Sequence, residues 1–142
     1  MIRYDQDIIA WANEQANLLR AGRFDQVDIL HLAEEIEDVG KSEQRELASR
    51  MSVLLAHLLK WDVQPERRGA SWECTIREQR RALQRRLNKT PSLRQCLEDA
   101  EWWEDVWLDA RTEASRESGI GFETFPASCP WKQEEILHGH ST

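Results

Sequence analysis

The chain has 142 residues, a net charge of −7, 40% hydrophobic and 32% charged residues, and three cysteines. That length predicts one domain over 1–142 with one core, burying about 68% of the surface an unfolded chain exposes. No apolar run approaches the ~18 residues of a membrane span, and Met1–Asp7 has neither the basic nor the apolar region of a signal peptide. Cys74, Cys96 and Cys129 are odd in number and far apart, which predicts neither a disulfide framework nor a CxxC metal site and favours the cytoplasm.

The charge is not uniform. Residues 1–59 hold 6 Lys/Arg against 11 Asp/Glu, residues 60–94 hold 10 against 4, and residues 95–142 hold 3 against 11. An acidic–basic–acidic layout results, with net charges of −5, +6 and −8.

Five helical segments are predicted from periodicity and caps, and no stretch alternates as a strand. The first runs from about Asp5 to Ala21, with Ile8, Trp11, Ala12, Gln15, Leu18 and Leu19 on one face and Gly22 placed as a C-cap glycine. Asp28 is placed to cap the second. Its stripe is Ile29, Leu32, Ile36, Val39, Leu47, Met51, Leu54, Leu58 and Trp61, expected to face inward. The stripe stutters beside Gly40, so 28–61 reads as one bent helix or two collinear ones. Met51–Trp61 is apolar almost all round and is expected to be the most buried stretch.

Ser71 is placed to cap the third helix, with Trp72, Ile76, Gln79, Leu83 and Leu87 inward and a basic outer face. Thr90-Pro91 reads as the start of a fourth helix, with Leu93, Leu97, Ala100, Trp103, Trp107, Ala110 and Ala114 inward and Gly119 as its stop. An irregular segment, Ile120 to Cys129, precedes a short helix over Trp131 to Leu137. The expectation is an all-α, antiparallel up-and-down helical bundle of four main helices plus a short C-terminal one.

Long motifs run through the chain: Leu18-Leu19-Arg20-Ala21-Gly22-Arg23-Phe24, Leu32-Ala33-Glu34-Glu35-Ile36-Glu37, His57-Leu58-Leu59-Lys60-Trp61, Gln64-Pro65-Glu66-Arg67-Arg68 and Thr75-Ile76-Arg77-Glu78-Gln79-Arg80. With Tyr4-Asp5, Pro91-Ser92-Leu93, Phe125-Pro126 and Cys129-Pro130, they make residues 4–137 resemble the bacterial domain-of-unknown-function family twenty-nine. The resemblance implies a helical bundle in a bacterial cytoplasm. It implies no activity and no catalytic residue.

Among functional candidates, the run Glu34-Glu35-Ile36-Glu37-Asp38 pairs carboxylates one turn apart. With Glu98, Glu101, Glu104 and Asp105 as a second cluster, it would suit a metal-dependent all-α nucleotide phosphohydrolase. The inward stripe, however, turns Glu34, Glu37 and Asp38 outward. Glu35, Asp38 and His57 are the weak metal candidates; no metal and no cofactor is expected. His31 is read as outward, and His138 and His140 lie in the tail. Arg77, Arg80, Arg81, Arg85, Arg86 and Lys89 offer a nucleic-acid surface. Pairing with acidic helices, or with a partner subunit, is the favoured reading because a net charge of −7 repels nucleic acid. Cys74 and Cys96 are expected to be packed. Of the seven tryptophans, Trp102 points away from its helix's stripe and Trp131 sits on the last helix. With Arg77, Arg81 and Arg85 they are the candidate interaction surface. A non-enzymatic interaction or regulatory module, with a protein partner or a second copy of itself, is the leading reading. The enzyme and nucleic-acid readings follow it.

Overall fold

The computed structural model describes residues 1–139, so His140 lies outside the described residues. The protein is all-helical, with several helices packed together and no strand among the described residues. The helices are α1 (Ile8–Arg20), α2 (Ile29–Val63), α3 (Ala70–Lys89), α4 (Arg94–Leu97), α5 (Ala100–Ser118) and α6 (Gln133–His138). Four 3₁₀ turns, Phe24–Gln26, Pro65–Arg67, Pro91–Leu93 and Phe122–Thr124, lie between them. Residues 1–42 and 43–142 form two compact units.

In the first unit, the Asp7 carboxylate caps α1 by accepting from the Ala10 N–H at 3.1 Å. Gly22 takes φ +74 just past the helix. Its N–H donates to Leu19 O and that of Arg23 to Leu18 O, the paired bonds of a Schellman ending. Asp28 caps α2 as expected, accepting from the His31 N–H at 3.3 Å. Gly40 does not interrupt α2. A mid-helix glycine costs about 1 kcal/mol relative to alanine, a cost the helix absorbs without breaking.

In the second unit, Leu47, Met51, Leu54, Leu55, Ala56 and Leu59 of α2 are fully buried, where the all-round apolar segment was expected. Around them pack Ile76, Leu83 and Leu87 of α3, and Val106, Trp107, Ala110 and Ala114 of α5. Leu93, Cys96, Leu97, Phe125, Ile136 and Leu137 close the cluster. Leu58 and Trp61 are only partly buried, because they form the edge of this core.

Two expectations about boundaries are corrected. Ser71 does not cap α3: the helix begins one residue earlier, after an extended Gly69 that contributes no side-chain cap. The helix expected from Pro91 to Gly119 is broken after Leu97. The Leu97 carbonyl accepts from the indole N–H of Trp103 at 2.8 Å and the side-chain amide of Gln133 at 2.6 Å. Helical bonding restarts at Asp99, whose carboxylate accepts from the N–H groups of Glu101 and Trp102. Ala100 is consequently exposed.

Polar groups tie the periphery to this core. Arg80 donates from Nε to Ile136 O at 2.9 Å, and Gln84 donates to Leu137 O at 2.6 Å, so α3 grips the end of α6. The buried Arg111 lies over the Phe122 ring at 3.9 Å and donates to Phe122 O and Phe125 O. It fixes the segment before Pro126. Lys60 is buried as well, paired with Glu117 and 5.2 Å from the Trp72 ring centre.

Two outcomes follow. Leu54→Ala should cost about 2–5 kcal/mol by chemical denaturation, and Leu58→Ala, at the edge, clearly less. The Lys60 contact holds the Glu117 carboxyl below its ordinary value of 4.5. A depressed carboxyl contributes stability above that value and loses it as pH falls through the folded one. Stability should therefore fall less steeply below about pH 4.5 in Glu117→Gln than in the parent, as read by unfolding at stepped pH.

Candidate interaction surfaces

The first candidate surface lies on residues 1–42. There polar side chains meet one another around the buried Trp11, and most of the large apolar ones face out. Trp11 and Gln15, which α1 buries, make polar contacts with the start of α2. The Trp11 indole donates to Asp28 at 3.0 Å, and the Asp28 N–H donates to Gln15 Oε1 at 2.7 Å. His31 lies 2.7 Å from the Asp28 carboxylate and stacks on Tyr4, ring centres 4.2 Å apart. Tyr4 donates its hydroxyl to Glu35. The hydrogen bond to His31 is the largest cause that lowers the Asp28 carboxyl below its ordinary value. The bond to Glu35 pushes the Tyr4 hydroxyl up to about 12.

The inward stripe expected at the start of α2 is therefore corrected. Ile29, Leu30, Ile36 and Val39 are between 66% and 78% exposed, and only Leu32 is partly covered. The polar residues Asp28, His31 and Glu35 share the face turned to α1, and their bonds outbid apolar contact there. His31, expected outside, is half-buried. On α1, Ile8 and Ile9 are exposed, as are Ala12 and Leu19. Glu34, Glu37 and Asp38 face solvent; Glu35 is the member of the acidic run that is partly covered.

The second candidate surface is the basic helix α3. Acidic partners within the chain fall to Arg86, which reaches Glu43 at 3.1 Å and Glu46 at 3.5 Å. Arg80 is held by the α6 carbonyls, and burial lowers its basicity. Arg77, Arg81 and Arg85 are exposed and make no ion pair among the described residues. Arg77 and Arg81 line a groove of about 720 Å³ between the end of α2 and α3, together with Leu58, Trp61, Ile76 and Trp131. Trp131, expected on the last helix, instead precedes it, since α6 begins at Gln133, and stands edge-on to Trp107 at 5.9 Å. Arg85 lies outside the groove.

The remaining candidates are placed as follows. Trp102, expected to point outward, is partly buried against the core, edge-on to Trp103 at 5.1 Å. His57 is half-buried, donates to Val53 O at 2.8 Å, and is made less basic chiefly by burial. It lines a cavity with Asp109, Glu113 and Glu117. Among the described residues, no three His, Cys, Asp or Glu side chains gather as a metal-binding group. Cys96 is packed as expected, whereas Cys74 is exposed, since it lies off the Ile76–Leu83–Leu87 stripe. No described helix is long and apolar enough to cross a membrane.

Sequence reasoning did not single out Tyr4, Lys60 or Arg111 for any role. Lys60 and Arg111 carried a signal, because each falls beside buried apolar positions of its helix. Tyr4 precedes α1 and carried none.

Fold and surfaces together define an all-helical protein with an acidic, outwardly apolar N-terminal unit and a basic groove on its larger unit. The chain belongs to the family described as domain of unknown function DUF29, whose profile matches residues 3–140. No curated protein and no solved structure matches it.

The tyrosine provides a clean check on the polar network, since Tyr4 is the single tyrosine of the chain. Its phenolate absorbance should appear with a midpoint near 12. Glu35→Gln should bring that midpoint down toward the ordinary value of about 10.

Proposed function

We propose that the protein is an interaction module, and that residues 1–42 dock an amphipathic helix with basic flanks on a protein partner. The observation that carries this reading is the inverted hairpin: hydrogen-bonded polar groups inside, and Ile29, Leu30, Ile36 and Val39 exposed outside. Covering each such side chain is worth roughly 1.5–3 kcal/mol, against about 0–1 kcal/mol for an exposed ion pair. The apolar strip therefore supplies the affinity, and charge selects the partner.

Two features support a helical, basic partner. Ile29, Ala33, Ile36 and Gly40 follow one another at steps of four, three and four, so the strip lies along one side of α2. Ala33 and Gly40 within it allow a second helix to approach closely, in the helix-in-groove manner. The unit holds four Lys/Arg against nine Asp/Glu, a net charge of −5, with Glu34, Glu37 and Asp38 on the same helix as the strip. Two such units repel each other, so a basic helix fits better than a second copy.

The test uses the full chain and a lysine-flanked amphipathic peptide, with a glutamate-flanked peptide of equal apolar content as control. The basic peptide should gain helicity and bind. Ile36→Asp should weaken that binding by about tenfold or more, the cost of losing one buried anchor. The acidic peptide should bind more weakly. Equal binding of both peptides, no binding by the basic one, or sedimentation of the free chain as a dimer lost in Ile36→Asp would overturn the proposal.

A further inference from the structure

The groove between α2 and α3 has features that the docking of a helix on residues 1–42 does not use. We propose that it binds a small aromatic anion, its ring against Trp61, Ile76 and Trp131 and its carboxylate or phosphate on Arg77 and Arg81.

The volume, about 720 Å³, lies in the usual range for small-molecule sites. Its apolar wall is built from three elements: Leu58 and Trp61 of α2, Ile76 of α3, and Trp131 just before α6. Arg77 and Arg81 stand one turn apart on the same face of α3, so their guanidinium groups serve one anion together. Neither makes an ion pair among the described residues, so both keep donors to offer. Planar guanidinium groups suit carboxylate and phosphate alike.

The walls are already fixed, which lowers the cost of ordering them on binding. Trp131 is packed edge-on against Trp107. The Trp61 carbonyl accepts from Arg68 Nε at 2.6 Å, and the Arg68 guanidinium lies 5.2 Å from the Trp61 ring centre. Arg80, between Arg77 and Arg81 in sequence, also lines the groove, but its guanidinium is committed to the α6 carbonyls. Asp62, Glu73 and Glu135 also line the groove. They oppose a second anionic group elsewhere on the ligand, so the ligand carries one such group, directed at Arg77 and Arg81.

Isothermal titration of the full chain at low salt tests this with four probes: naphthyl phosphate, naphthoate, naphthol and inorganic phosphate. Naphthyl phosphate or naphthoate should bind saturably, and the tighter of the two identifies the anionic group. Naphthol and inorganic phosphate, each lacking half of the recognition, should bind at least about tenfold more weakly. Arg77→Gln/Arg81→Gln should weaken the aromatic anion by about tenfold or more, while Arg85→Gln, on the same helix but outside the groove, should leave it unchanged. All three arginines are exposed and without ion pairs among the described residues, so the variants keep their fold, as circular dichroism will confirm. Absence of saturable heat with both anions, equal binding of naphthol, or a loss in Arg85→Gln as large as in the double variant would overturn the proposal. Because none of these variants touches residues 1–42, the result is independent of the peptide experiment.

Discussion

The larger unit depends on one row of side chains. Leu47, Met51, Leu54, Leu55 and Leu59 are buried on successive turns of α2, and α3, α5 and α6 each contribute their own apolar residues to the same cluster. Close packing makes this a demanding arrangement, since interiors at crystal-like density leave little room for a misplaced methyl group. Small residues are part of the solution: Ala56, Ala110 and Ala114 are fully buried, and the Ser52 hydroxyl on α2 reaches the Val106 carbonyl on α5 at 3.4 Å. The polar anchors are secondary to this row. Arg111, Lys60, Trp103 and Gln133 satisfy carbonyls or charges at its edge, where unpaired groups would each cost about 1–3 kcal/mol.

Residues 1–42 obey a different constraint. A two-helix hairpin is too small to bury every apolar group it carries, so something must face out. Here Tyr4, Trp11, Gln15, Asp28, His31 and Glu35 bond or stack with one another on the inner side, and the isoleucines are left on the outer side. A polar network of this kind specifies one register, because each of its hydrogen bonds joins a particular donor to a particular acceptor. The exposed strip is the consequence, and the proposed docking of a partner helix rests on it.

On α3 the same logic sorts five arginines into different tasks. Arg80 stands four residues after Ile76 and three before Leu83, and it is drawn inward to the α6 carbonyls. Arg86, three residues after Leu83, meets Glu43 and Glu46. Arg77, Arg81 and Arg85 follow one another at steps of four, away from that stripe, and remain exposed. The helical period thus held the information needed to separate them. Which carbonyls and carboxylates receive Arg80 and Arg86 depends on residues about 40 to 56 positions away in sequence.

Period and capping chemistry were sufficient for the helical class, the glycine ending at Gly22, the Asp28 cap and the burial of Met51, Leu54, Leu55, Ala56 and Leu59 within the Met51–Trp61 segment, because all of these are local or follow from apolarity on every side. Three features were decided only by tertiary structure. The break after Leu97 arises because Trp103 and Gln133 take its carbonyl, and the second of these lies 36 residues away. Trp102 is drawn against the core although its helix's stripe points elsewhere. The inversion of the N-terminal hairpin is the largest departure. An apolar stripe says that a face prefers to leave water, but the interior goes to whichever groups find partners there, and Asp28, His31 and Glu35 found theirs on and before α1.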